Sequence, residues 1–324
     1  MSHETKEAAP PRIRHNSELA AWFMLQHKVT GRYPRVIDQL PALALEHKKL
    51  FDGGYNPGMA EFEGKVYLSY RWHDGNTLHS SLAIAETDLS GVIHHNRKIE
   101  LGTGGEDPKL FIHNDQLHIS WIESTFPAVP WRSSVQYGHF EGELLKGITR
   151  PEVPGNDATT IQKNHVPWSQ DGSLFWIYQT SPVQQVYRLE GSAASQPLET
   201  PGPKWAYGQP RGGIPPLPFE GHLLRFFHSG LDNEFGANRR RYFLGAYLMR
   251  AQPPFEVLAT SSRPICYGSE TDAIKVRERP THWKPNVVFP GGAVAVDGGW
   301  LVSVGVNDSA CEILKITAKD LHLT

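Results

Sequence analysis

The chain has 324 residues, with 32 Lys plus Arg against 34 Asp plus Glu and a formal net charge of −2, so no global positive field draws it to nucleic acid or to an anionic membrane. Two cysteines, Cys266 and Cys311, cannot form a disulfide framework. No uncharged apolar run approaches the ~20 residues of a membrane span, and no apolar signal segment precedes the Pro10-Pro11 pair, which reads as a cytoplasmic protein without nucleic-acid or membrane partners.

Residues 1–51 differ from the rest and are read as an N-terminal extension packing on a domain over 52–324. Within them Leu19, Trp22, Phe23 and Gln26 recur at helical spacing before Gly31, which predicts a short amphipathic helix over Ser17–Lys28. Pro41 interrupts the next segment. Ala42 to Leu50 is compatible with a helix or with a strand that closes a ring.

From Tyr55 onward a faint repeat runs through the chain. Its unit is a turn followed by apolar-polar alternation: Gly64 to Tyr70, Asp115 to Trp121, Gly172 to Tyr178, Gly221 to Phe227 and Gly298 to Val304. Upstream of each turn an apolar stretch starts beside Pro57, Pro108, Pro167, Pro215-Pro216 or Pro290, and proline is tolerated at the first residue of a strand. Downstream lies another strand candidate: Leu82–Ala85, Val135–Gly138, Gln185–Arg188, Tyr242–Tyr247 and Glu312–Ile316. Repeats of roughly 50 residues with three or more strands are the sequence form of propeller blades, and five fill the domain. The fold expected is all-β, a five-bladed β-propeller with a short N-terminal helical extension. Ser192–Pro203 reads as a loop between blades and Tyr267–Lys284 as a charged insertion.

In a propeller the innermost strands face the central axis, so polar residues at the proline-marked positions converge. They are Asn56; Glu106 and Asp107; Lys163, Asn164 and His165; Arg211; and Asn307 and Asp308 after the last inner hairpin. An acid among several cations suits transfer chemistry on an anion, because guanidinium and ammonium donors match phosphate oxygens. The competing reading is that Asn56 and Asp107 cap turns before prolines.

These residues bring a family into view. Tyr55-Asn56-Pro57-Gly58, Gly105-Glu106-Asp107-Pro108-Lys109, Lys163-Asn164, Arg211-Gly212-Gly213-Ile214-Pro215-Pro216, Phe227-His228-Ser229, Tyr242-Phe243-Leu244-Gly245-Ala246, Val287 to Ala293 and Gly305-Val306-Asn307-Asp308 resemble, in order, the blade signatures of glycoside hydrolase family 130, the β-mannoside phosphorylases and related mannosidases. The resemblance implies an inverting enzyme on β-linked mannose, with Asp107 as general acid acting through a sugar hydroxyl. It places Asn56, Arg71, Glu106, Asn164 and Asp308 at the sugar, and Lys163, Arg211 and His228 at inorganic phosphate. It implies no cofactor besides phosphate or a sugar phosphate as co-substrate, and a mannose-containing oligosaccharide or glycoconjugate as partner. The chain departs from the family pattern at Lys109, where arginine is usual, and at the Gly-Gly version of the Arg211 motif; both bear on phosphate use more than on fold. A β-mannosyltransferase, a β-mannosidase and a non-catalytic glycan- or protein-binding propeller are the other readings.

No His-Glu-x-x-His occurs, and His113 and His118, five apart, are read as opposite faces of one strand, so no metal site is expected. Gly102 to Gly105 lacks the Gly-Lys-Ser of a phosphate loop. Trp121, Trp131, Trp168 and Trp205 are candidates for stacking on sugar rings or for packing between blades. Both cysteines are read as buried packing residues, and Arg239-Arg240-Arg241 as a solvated run.

Overall fold

A computed structural model describes residues 47–52, 54–73, 80–89, 92–101, 104–125, 130–232, 240–268 and 286–324, with side chains from Gly54 onward apart from Asp232. The helix expected over Ser17–Lys28, and all of the 267–284 insertion beyond Gly268, lie outside the described residues.

The first strand, β1 (His47–Asp52), stands apart from the blade that follows it. Blade one is β2 (Gly54–Phe62), β3 (Lys65–His73), β4 (Ser80–Thr87) and β5 (Ile93–Ile99), paired in that order. Blade two repeats the pattern with β6 (Gly105–His113), β7 (Gln116–Ser124), β8 (Ser133–Glu141) and β9 (Leu144–Thr149). In blade three, β10 (Val166–Gln170), β11 (Ser173–Gln179) and β12 (Val183–Glu190) are joined by β13 (Ala193–Ala194) and β14 (Leu198–Pro201), both on β12. Blade four has β15 (Leu217–Phe219), β16 (His222–Asp232) and β17 (Arg240–Arg250), with β18 (Val257–Thr260) and β19 (Cys266–Tyr267) both on β17. Blade five is β20 (Val288–Val296), β21 (Gly299–Val306) and β22 (Ala310–Ile316). Its outermost position is taken by β1, antiparallel to β22 with His47 opposite Leu314 and Asp52 opposite Ala310. The five-bladed propeller is therefore closed by a strand from the beginning of the chain. Most of that strand comes from residues assigned by sequence to the extension, and within Ala42–Leu50 the described residues, 47–50, take the strand alternative.

The inner hairpins turn tightly because consecutive residues there take positive φ: Glu63 and Gly64, Asn114 and Asp115, Asp171 and Gly172, Glu220 and Gly221. Such pairs suit the right-handed twist of the flanking strands. The middle strands are buried on both faces, as in β7, whereas the outer β5 and β9 are largely exposed. The reason is that each blade is sandwiched between two others. Accordingly the core is layered between blades: Leu82, Ile84 and Ile99 of blade one meet Leu110, Ile119 and Trp121 of blade two, and Met59, Leu68 and Ala85 meet Val294, Cys311 and Ile313 of blade five. Cys266 is buried in the layer between blades four and five, so both cysteines are packing residues, and neither is in a disulfide. Among the described residues the only helix is a short 3-10 turn, Ala318–Leu321, and no helix is long and apolar enough to cross a membrane.

His113 and His118 correct the sequence reading. They lie on facing strands of the β6–β7 hairpin, with ring centroids 5.5 Å apart, because the turn at Asn114-Asp115 folds the segment back on itself. The His118 ring lies equally close to that of His139, tilted against it. Even so, among the described residues no group of three His, Cys, Asp or Glu side chains is placed to hold a metal ion.

Ring closure by β1 generates a test. Deleting residues 1–53 uncovers the edge of β22, and is expected to lower Tm by at least about 5 °C relative to deletion of residues 1–46, which spares the strand. Equal thermal unfolding of the two truncations would show that β1 contributes nothing to closure.

Candidate active site at the propeller axis

The axial cluster begins with backbone geometry. In β2 the pairing register with β3 shifts between Tyr55 and Gly58, and in β6 the register with β7 shifts between Glu106 and Lys109. Each shift is a bulge containing an Asn-Pro or Asp-Pro step. Asn56 and Asp107 there have φ of 51° and 48°, a left-handed conformation that Asn and Asp tolerate better than most residues. The prolines that follow have no N–H to leave unpaired. Both side chains bond across the axis, to each other, to Arg71 and to Asp308, rather than to the backbone of their own turns. Asn164, Asn307 and Asp308 also have positive φ.

The bulges aim Asn56 and Asp107 at each other. Asn56 Nδ2 donates to Asp107 Oδ1 at 2.8 Å and reaches Asp308 Oδ1 at 3.5 Å. Gly305 makes room for this, since a Cβ there would lie 2.0 Å from Asn56 Oδ1. Arg71, on β3, donates to Asp107 Oδ1 at 3.0 Å and lies 3.6 Å from Glu106 Oε2. Its other side reaches Ser80 Oγ at 3.3 Å, and its guanidinium sits 4.8 Å over the Tyr55 ring. Lys163 Nζ donates to Glu106 Oε2 at 2.8 Å and lies 4.4 Å over the ring of Trp131. Of the four tryptophans considered for sugar stacking, Trp121 and Trp168 are buried in the core, and Trp205 packs on Tyr207 and Phe227. Only Trp131 is brought to the cluster.

Blades three and four supply the other side. Gly212 adjoins both Asn164 and His228: a Cβ on it would approach Asn164 Cβ at 3.0 Å and His228 Cε1 at 3.2 Å. Arg211 and His228 are bridged through their backbones, N–H to carbonyl in both directions at 2.8 and 3.3 Å. The His228 ring stacks on Tyr242 and lies 4.8 Å from Phe289. Phe289 also carries Lys109, whose Nζ is 5.0 Å from the ring centroid. Lys109 is buried, and among the described residues its ammonium makes no hydrogen bond. Through Phe289 the two halves of the cluster meet.

Charge within this group is unevenly distributed. Burial raises the Asp107 carboxyl, but Arg71 and Lys163, with the Asn56 hydrogen bond and Lys109, outweigh it and hold the group well below the usual carboxylate range. Glu106 is likewise lowered, burial being outweighed by Arg71 and Lys163. Burial pushes Lys109 down to about 8 despite the attraction of Asp107, with Arg225 adding to the depression. Burial, with Lys109 and Arg211 nearby, pushes His228 down to about 3. His228 is consequently a neutral imidazole at physiological pH and offers a hydrogen bond rather than a charge.

Each predicted site residue, Asn56, Arg71, Glu106, Asp107, Lys163, Asn164, Arg211, His228 and Asp308, belongs to this cluster or adjoins it. Two other axial candidates do not. His165 accepts from Trp176 Nε1 at 3.0 Å and faces Gln162 Oε1 at 3.1 Å, and Asn307 Oδ1 accepts from the Val287 N–H at 3.0 Å. Both are fastened to the scaffold. Sequence reasoning missed Arg225, whose signal was a lone charge in the apolar run Leu223 to Phe227.

No family model matches the chain, and no curated protein sequence does. Solved structures do match in fold. A β-1,2-mannobiose phosphorylase from Listeria innocua, in complex with β-1,2-mannobiose, is 16% identical over 85% of this chain and 92% of its own, with a TM-score of 0.58. A mannose phosphorylase from Leishmania mexicana, in complex with a phosphate ion, is 14% identical over 93% and 94%, with a TM-score of 0.57. A GDP-Man-dependent mannosyltransferase from the same organism is 13% identical over 93% and 95%, with a TM-score of 0.58. At these identities the likeness is one of fold, and it is the fold that the resemblance to glycoside hydrolase family 130 implies.

The state of Lys109 sets a pH dependence. It is protonated at pH 7 and loses its proton near pH 8, whereas the unfolded chain holds that proton to about 10.4. Through that window the unfolded state binds more protons, so Lys109 makes stability rise with pH, while an anion at the cluster loses its buried cation. Sulfate affinity by calorimetry is expected to fall about tenfold between pH 7 and 9.5. Lys109→Met is expected to bind more weakly at pH 7 and to flatten the profile; an unchanged profile would remove Lys109 from anion binding.

Proposed function

We propose that the protein transfers a β-mannosyl unit between a mannoside and inorganic phosphate, with inversion, in the manner of a β-mannoside phosphorylase. The observation that carries this reading is the charge of the axial cluster. Among the described residues, Arg71, Lys109, Lys163, Arg211 and Arg225 stand against three carboxylates, Glu106, Asp107 and Asp308, and Lys109 has no hydrogen-bond partner. Such an excess suits an anionic second substrate. The likeness in fold to two mannose-specific phosphorylases supports the same reading.

Water is a poorer second substrate for this arrangement. An inverting hydrolase uses a second carboxylate ~6.5–9.5 Å from the acid to activate water. Here Asp107 and Asp308 share one nitrogen of Asn56, at 2.8 and 3.5 Å, so the amide, rather than room for a water, lies between them. Glu106 is ion-paired to Lys163 and Arg71 and is a weak base. Phosphate is itself a nucleophile and needs no such activation.

Asp107 serves as the proton-transfer residue in both directions. In the resting protein it is ionised, which equips it to take a proton from an acceptor hydroxyl in the synthetic direction. Cleavage requires the same carboxyl protonated. A phosphate that engages the neighbouring cations weakens their hold on Asp107 and raises its proton affinity, so the co-substrate itself prepares the acid. Asn56 fixes the carboxylate and Arg71 orients it, both from the neighbouring blade. Tyr55, stacked on His73 at 5.8 Å, backs the arginine. A cytoplasmic setting accords with two buried cysteines that form no disulfide.

The test is release of mannose 1-phosphate from β-1,2-, β-1,3- or β-1,4-linked mannosides with phosphate present. Asp107→Asn is expected to lower kcat about 10²–10⁴-fold with the fold and mannoside binding retained, because an amide keeps the shape but donates no acid proton. Absence of turnover across the panel, or a loss below about tenfold in the variant, contradicts the assignment.

A further inference from the structure

Arg225 lies on β16 between Leu224 and Phe226, and it is fully buried. Its Nε donates to the Ile214 carbonyl at 3.3 Å, one terminal nitrogen donates to Thr180 Oγ1 at 3.2 Å and to the Tyr247 hydroxyl, and the other donates to the Gly212 carbonyl. The Tyr247 hydroxyl in turn donates to Gln184 Oε1 at 2.7 Å, and Gln184 Nε2 donates to the Phe255 carbonyl at 2.8 Å. All four partners of the guanidinium are neutral. A buried cation without an acid is costly to desolvate, and an apolar side chain would fill an interior slot with less penalty.

What the guanidinium does is hold the carbonyls on either side of Gly213. The segment Arg211-Gly212-Gly213-Ile214 is wedged against β16: Gly213 has φ of 103°, and a Cβ on it would lie 2.0 Å from the Phe226 carbonyl oxygen. Backbone bonds tie its two ends to β16, through His228 at Arg211 and through the Phe226 carbonyl at Ile214. Between those ties, among the described residues, it is Arg225 that reaches the Gly212 carbonyl, and Gly212 is the residue against which Asn164 and His228 pack. A planar fork serves two carbonyls at fixed spacing; an ammonium does not. Arg225 also lies close enough to the cluster to depress the proton affinity of Lys109 and His228.

We infer that Arg225 is a positioning residue for the anionic substrate: it locks the Gly212-Gly213 turn so that Arg211, Asn164 and His228 are presented together, and it places a buried positive charge behind them. The inference rests on the reading that the second substrate is an anion. It assigns Arg225 no contact with the sugar, which separates it from a residue that merely holds the fold.

The experiment titrates inorganic phosphate, without sugar, into the wild-type protein, Arg225→Lys and Arg225→Met, alongside KM for the mannoside and amide hydrogen exchange of residues 211–214. Arg225→Lys keeps the charge and the packing volume. It is expected to fold, to weaken phosphate about tenfold or more, to change KM for the mannoside less than about threefold, and to raise exchange at Gly212 and Gly213 while blade one is unaffected. Arg225→Met is expected to weaken phosphate further. Wild-type phosphate affinity in Arg225→Lys, or equal weakening of phosphate and mannoside, overturns the positioning role. If the wild-type protein itself binds no phosphate, the anionic-substrate reading fails and the inference falls with it, an outcome distinguishable from the first because it appears before any substitution is made.

Discussion

The axial site depends on one constraint, the pair of proline-marked bulges that force Asn56 and Asp107 into the left-handed region and point them at each other. A regular strand would send alternate side chains into the inter-blade layers, where Met59 and Leu110 already lie. The bulge breaks that alternation at the mouth of the strand and frees a polar side chain for the axis. Pro57 and Pro108 lack the N–H that the interrupted ladder would have stranded. Local strain at these positions is held by the surrounding blades, which is how active sites commonly retain unfavourable backbone conformations.

Electrostatics then divides the cluster into two halves with different states. On one side the carboxylates Glu106 and Asp107 are satisfied by Arg71, Lys163 and Asn56 and stay ionised. On the other, Lys109 and Arg225 are buried with no acid bonded to them, and His228 is neutral. The two meet across Phe289. On the proposed phosphorolytic reading, an anion bound at the uncompensated half competes with Asp107 for the shared cations, so binding of the second substrate and readiness of the acid are linked by the same charges. This coupling distinguishes the arrangement from a pair of carboxylates around a water.

Much of this was legible in the chain because a propeller writes its period into the sequence. Turn residues, prolines at strand starts and three apolar runs per unit located all five blades, and the proline-marked positions located Asn56 and Asp107. What the period could not reveal was pairing between distant segments. Ring closure by β1 depends on a register with β22 some 260 residues away, and residues 42–50 read equally well as helix or strand. His113 and His118 were separated by a rule for one strand that a hairpin turn cancels. Arg225 was hidden because its role is to hold carbonyls of Gly212 and Ile214, partners that carry no side-chain signature. Asn164 and His165, adjacent in sequence, part company only in three dimensions, one beside Gly212 and the other bonded to Trp176.

The central claim is that the uncompensated positive side of the axis is built for an anion. A crystal structure of the protein soaked in phosphate tests this most directly. The account predicts a single tetrahedral density on the propeller axis, with an oxygen within about 3.2 Å of Lys109 Nζ or of the Arg211 guanidinium and near His228, while Asp107 keeps its bond to Asn56. An empty axis at saturating phosphate, or density that avoids both Lys109 and Arg211, would contradict it.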